Sequence, residues 1–273
     1  MSTFTHVDSA RGPHPKLQGR LRLTALYSAT MVILSLGAAA MLIVAMLTLF
    51  RARRFYTEVA ARALGRTVLR MWGIRMVVHQ VEPFPESQTV YISNHTSTID
   101  LFVLISLGLP NARFFLSGFL RKLIPLGVIG YLTGTFWTYP QTESGKRVRC
   151  FQHADRTLKR SGESVYLSPE GERVTTGLIG PFNKGAFHLA TSLHAPIVPL
   201  YIRIPRAIDP GKGFDAKRGT VQVHVKPAID TRDWRLEDLE RNRDRARALF
   251  LTWHQDLYHA ARENNQEELW QSK

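Results

Sequence analysis

One cysteine, Cys150, is all the chain contains. That excludes an internal disulfide and fits a reducing compartment. No Cys/His cluster has metal-site spacing. There is no Gly-x4-Gly-Lys-Ser/Thr loop to cradle a nucleotide's phosphates and no Gly-x-Ser-x-Gly elbow to present a serine nucleophile. Internal repeats are lacking as well. Acidic residues are in deficit, with 22 Asp and Glu against 36 Lys and Arg, for a formal charge of +14 over 273 residues. Such an excess points to an anionic partner: nucleic acid, anionic lipid or a phosphorylated substrate. The longest deficit is of charge itself, since residues 23–50 are 28 positions without one charged side chain. As a helix this run measures about 42 Å, more than the roughly 30 Å of a bilayer's hydrocarbon core.

What is present divides the chain into four parts. Residues 1–22 are polar and basic, a tail expected to stay disordered until it meets a surface. Residues 23–75 hold the membrane segment and then seven Arg against the single Glu58. Arg54, Glu58, Arg62, Arg66 and Arg70 recur at i, i+4, a broad basic helix face expected to lie on anionic headgroups. Arg51, Arg53 and Arg54 behind the apolar run place the bulk of the chain on the cytoplasmic face of the cell's inner membrane. A hairpin bent near Gly37, which the sequence does not exclude, would put both basic flanks on that side. This setting argues against nucleic acid as the partner, because no reading module accompanies the charge.

Residues 76–230 read as an α/β domain, since hydrophobic content of 44% supports a real core. Short β-branched and aromatic runs at 76–81, 89–93, 113–116, 135–139, 164–167, 197–202 and 221–225 are the candidate strands. Helical patterns at 101–107, 145–160 and 184–193 alternate with them, which favours a mixed, largely parallel sheet flanked by helices. A Pro/Gly/Lys loop occupies 204–219, and 231–273 is a charged amphipathic C-terminal helix.

Two polar clusters follow apolar strands. In the first, Val90-Tyr91-Ile92-Ser93-Asn94-His95-Thr96-Ser97-Thr98-Ile99-Asp100, Ser97 stands three residues before Asp100, close to a capping box. With His95 in the turn and Asp100 entering the helix, the carboxylate can hold one imidazole nitrogen and leave the other as a general base. The same spacing fits a carboxylate that merely complements the helix dipole. In the second, Ser168-Pro169-Glu170-Gly171-Glu172-Arg173, the turn falls at a sheet's carboxyl edge, where α/β proteins bind ligands. Gly171 permits close approach there, and Arg173 can grip a phosphate or carboxylate in two places. A plain turn carrying a surface ion pair fits as well.

Taken in order, these clusters, Pro181-Phe182-Asn183-Lys184-Gly185-Ala186 and Ile197-Val198-Pro199 resemble the blocks of the glycerolipid acyltransferase family, whose familiar members are 1-acylglycerol-3-phosphate acyltransferases. The first is similar to its Asn-His-x-Ser-x-x-Asp block and the second to its Phe-Pro-Glu-Gly-Thr-Arg block. The resemblance implies that His95 takes the proton of an acceptor hydroxyl, which attacks an acyl thioester directly, and that Asp100 orients it. It further implies that Asn94, Ser97, Glu170, Gly171 and Arg173 bind substrate, with Lys184 adding positive charge. The implied co-substrates are acyl-CoA or acyl-carrier protein and a lysophospholipid, first of all 1-acylglycerol-3-phosphate, with no metal and no other cofactor. Two departures stand out. Ser168 and Glu172 replace the usual Phe and Thr. The family's middle block also ends in a Phe-Val-Asp-Arg-like run that helps bind phosphate, whereas Gly134-Thr135-Phe136-Trp137-Thr138-Tyr139-Pro140-Gln141 has no Arg. The second departure predicts weaker selectivity for phosphate.

Overall fold

The computed structural model describes residues 15–209 and 216–271. The chain opens with α1 (Pro15–Leu47), one continuous helix. The basic tail is therefore helical from Pro15, and residues 1–14 lie outside the described residues. No bend occurs at Gly37; instead its bare backbone lets Leu64 pack where a Cβ would collide. The chain reverses after α1, through Leu49 and Phe50, both at positive φ. A π-helical turn (Phe55–Ala61) then runs into α2 (Arg62–Met71).

α1 is not a free rod. Thr30, Leu34, Ala38, Met41 and Ala45 form a buried stripe at helical spacing, packed on α2 and on α4 (Ile124–Leu132). The Trp72 indole N–H closes the seam by donating to Thr30 Oγ1 at 2.9 Å. The opposite face, with Val32, Leu36, Ile43, Met46 and Leu47, is exposed and apolar. Much of the expected basic face is turned to protein. Arg66 donates to the Ser106 carbonyl, Arg54 to Asn111 and Arg53 to Glu163. Arg51, Arg54, Arg70 and Arg75 remain exposed.

Seven strands follow: β1 (Ile74–His79), β2 (Val90–Ser93), β3 (Ala112–Ser117), β4 (Phe136–Thr138), β5 (Ser164–Leu167), β6 (Ile197–Arg203) and β7 (Gly219–Val225). They form one sheet in the order β1-β7-β6-β2-β5-β3-β4. Every neighbouring pair is parallel except β6 and β7. The central strands β2 and β5 are buried along their whole length, as helices on both faces require. Side chains alternate, so Tyr91 and Tyr166 join the core under α1, α2 and α3 (Asp100–Leu107). Val90, Ile92, Val165 and Leu167 point the other way, into the core under α5 (Ser144–Ser161), α6 (Gly185–Leu193) and α7 (Leu239–Gln271).

Candidate active site

β2 and β5 are parallel neighbours in the register Ile92 opposite Leu167, so the turns that leave them emerge side by side at the carboxyl edge of the sheet. This brings His95 next to Glu170 although 75 residues separate them. Glu170 Oε2 accepts the His95 backbone N–H at 2.5 Å, and the Val174 N–H donates to the His95 carbonyl at 2.8 Å. A third strand joins through Asn94. Its side-chain amide donates to the Ile202 carbonyl and accepts the Ile202 N–H, both at 2.8 Å, in the manner of a strand residue.

Asp100 begins α3 and is 1% exposed. Its Oδ2 accepts the Thr96 and Ser97 N–H groups at 2.8 and 2.9 Å and meets His95 Nδ1 at 2.9 Å. A carboxylate oxygen that already accepts two N–H groups can only accept a third, so Nδ1 carries the proton and Nε2 is left as a free acceptor. The imidazole is 34% exposed and lines the cleft. The capping box is half made. Asp100 takes the Ser97 N–H, but Ser97 Oγ accepts from the Ile99 N–H and donates to Asp209. One oxygen atom of Asp100 thus meets both the imidazole and the amides at the start of the helix.

The second turn is equally constrained. Gly171 sits at φ +74°, and a Cβ there would lie 2.7 Å from the Asn183 side-chain nitrogen, which donates to the carbonyls of Pro169 and Glu170. Glu170 is 3% exposed, and its second oxygen accepts the Gly180 N–H at 2.7 Å. Burial pushes this carboxyl up to about 7, the two backbone donors pulling it the other way. Arg173 reaches back to donate to Thr98 Oγ1 in the first turn. Above the two turns lies a cleft of about 1180 Å³, floored by His95, Asp100, Gly171 and Arg173. One wall is apolar, with Leu101, Leu104, Phe115, Leu116, Phe119 and Leu120; α5 supplies the other through Arg147, Val148 and Phe151. A protonatable base, a cation and a long apolar wall suit an amphiphile whose polar end reacts at His95.

A family model described as "Acyltransferase" matches residues 75–203. The human 1-acyl-sn-glycerol-3-phosphate acyltransferase beta is 31% identical over 232 residues, covering 72% of this chain and 82% of that protein. The chain belongs to the glycerolipid acyltransferase family. The corresponding alpha protein of Bos taurus is 31% identical over 186 residues; the match takes in 67% of this chain but spans only 63% of that relative's length. The crystal structure of the 1-acyl-sn-glycerophosphate (LPA) acyltransferase PlsC from Thermotoga maritima superposes with a TM-score of 0.75. At 20% identity, covering 89% of this chain and 97% of that one, it shares the fold.

The site residues expected from the sequence separate into two groups. His95, Asp100, Gly171, Arg173 and Lys184 line the cleft. Asn94, Ser97 and Glu170 are buried beneath it with their polar atoms held by backbone or by Asp209. Lys184 stands at the cleft mouth with its ammonium ion-paired to Glu240. Residues without a motif signal also take part: Asn183 clamps the glycine turn, Thr98 receives Arg173, and Arg147 enters the cleft from α5. Only a search for cations near the blocks in space rather than in sequence would have found Arg147. Among the described residues no group of three His, Cys, Asp or Glu could hold a metal ion.

Proposed function

We propose that this acyltransferase moves a fatty acyl group from a thioester, acyl-CoA or acyl-carrier protein, to the free hydroxyl of a lysophospholipid, with 1-acylglycerol-3-phosphate as acceptor and phosphatidate as product. The observation that carries the reading is the His95–Asp100 pair at 2.9 Å with Nε2 facing a cleft that has a cationic floor and an apolar wall. Nε2 takes the hydroxyl proton while the oxygen attacks the thioester carbonyl. As the tetrahedral species collapses, the C–S bond breaks and the imidazolium returns its proton to the departing thiolate. Asp100, fixed by two turn amides, holds the ring and stabilises the imidazolium. The curated relatives' names support the choice of acceptor.

The exposed apolar face of α1 suits contact with lipid acyl chains on the cytoplasmic side of the inner membrane, anionic lipids being met by the remaining free arginines. The test uses full-length protein in uncharged micelles with a labelled acyl thioester, each donor offered separately. Labelled phosphatidate is the expected product. Failure to acylate any lysophospholipid with either donor overturns the proposal.

A further inference from the structure

The missing arginine of the middle block leaves a chemical gap that the structure fills from another element. A phosphate monoester carries between one and two negative charges near neutral pH, and its sites commonly gather more than one cation. Arg173 is one. From the middle block, Thr138, Tyr139 and Gln141 face the cleft and bring no charge. Lys184 is ion-paired to Glu240 and largely exposed. Lys146 is drawn to Glu143 and lies over the Tyr139 ring. Arg156 also lines the cleft, but it stands nine residues along α5 from Arg147, about 13 Å at 1.5 Å per residue.

Arg147, in the first turn of α5, is differently placed. Its Nη2 comes 4.0 Å from the point where a Cβ of Gly171 would stand, two residues before Arg173. Half-buried, it lines the cleft, and its guanidinium has neither a hydrogen bond nor an ion pair to any described residue. The absent side chain of Gly171 lets the Asn183 amide and the Arg147 guanidinium both come close to the turn. The acid on this wall, Asp155, is paired with Lys159.

We propose that Arg147 is the second phosphate-holding cation of this site, gripping with Arg173 the phosphate monoester of the acceptor from opposite sides of the Gly171 turn. The inference rests on the lysophospholipid reading above and gives it a specificity device. Selectivity for a monoester is retained here without the middle-block arginine, because α5 supplies the charge.

Full-length protein in uncharged micelles tests this with lysophosphatidate and lysophosphatidylcholine, whose phosphate is a diester of lower charge. Arg147→Ala raises KM for lysophosphatidate about tenfold or more, leaves KM for lysophosphatidylcholine within twofold, and changes kcat little. Arg147→Lys recovers part of the loss, whereas Arg149→Ala, which removes an exposed charge from the same helix outside the cleft, changes neither KM. A lysophosphatidate KM unchanged in Arg147→Ala overturns the assignment, as does an equal rise for both lipids. A binding readout separates the two readings. If the wild type transfers no acyl group yet lysophosphatidate raises its Tm and that of Arg147→Ala does not respond, the phosphate site stands and the acyl-transfer reading falls. A response equal in both proteins overturns the site.

Discussion

Asp100→Asn isolates the charge at the centre of the site, because the amide keeps the shape of the carboxylate. Its oxygen can occupy the Oδ2 position and still accept the amides of Thr96 and Ser97. The NH₂ then replaces Oδ1, a buried atom without a hydrogen-bond partner among the described residues. An unpaired donor there costs about 1–3 kcal/mol, and each kcal/mol moves the Tm of a chain this size by about 2–4 °C, so the Tm falls by about 2–12 °C. Catalysis loses more. A hydrogen bond to a charged partner contributes about 1.5–3 kcal/mol, and an ion pair near 4 Å at an effective dielectric constant of 20 about 4 kcal/mol. Taking about 1.5–4 kcal/mol from the imidazolium-like transition state lowers kcat/KM by about 10- to 10³-fold. The assay is initial-rate acyl transfer at a temperature where circular dichroism shows the variant folded, beside the His95→Ala and doubly substituted proteins. The double variant should be no worse than His95→Ala, since Asp100 acts through the ring. Wild-type kcat/KM in folded Asp100→Asn would reduce Asp100 to a helix-start residue and remove the mechanism.

His95→Ala should lower kcat by about 10²–10⁴-fold with little change in Tm, and near-normal turnover in the folded variant would exclude His95 as the base. Glu170 gives a pH signature. Its folded value of about 7 lies above the 4.5 of an unperturbed Glu, so its stabilising share is complete below pH 4.5 and is lost as pH rises to about 7. The Tm advantage of wild type over Glu170→Gln should accordingly shrink between pH 5 and pH 8, and a gap that widens with pH contradicts the buried carboxyl. On α1 the two faces should separate. Met41→Ala, 3% exposed, should cost about 2–5 kcal/mol of stability in detergent, whereas Ile43→Lys, 55% exposed, should keep the fold and weaken vesicle binding. An unchanged Tm for Met41→Ala would mean that α1 does not pack on the domain.

All seven strands were legible, each within two residues at either end, because they are written as compact β-branched and aromatic runs, continuous in β2, β5 and β6 where both faces are buried. α4 was not: Pro125 suits only a first turn, and Gly127 and Gly130 dilute the helical signal, so tertiary contact with α1 decides the outcome. The antiparallel β6–β7 pair was equally hidden, since nothing local distinguishes a strand that returns beside its predecessor from one that crosses over. The 28-residue uncharged run revealed its apolarity but not its two faces. A helix that is apolar all round carries no polar stripe to separate its packed face from its exposed one.

The candidate site shows the same limit at the scale of single residues. Motif spacing could say that His95, Asp100 and Arg173 belong together, and they line one cleft, but not that Asn94, Ser97 and Glu170 lie buried beneath it, because polar residues in a turn read alike whichever way they face. Their burial has a function that spacing cannot express. A general base on a loop must be held to within about half an ångström of its productive position, and loops are the mobile parts of a fold. His95 has four polar atoms, and three are committed: the backbone N–H to Glu170, the carbonyl to Val174, and Nδ1 to Asp100. Asn94 ties the preceding residue to β6, and Ser97 reaches Asp209 just beyond that strand. Among the described residues Nε2 alone remains uncommitted, so the buried part of the motif is what aims the one free nitrogen of His95 at the cleft.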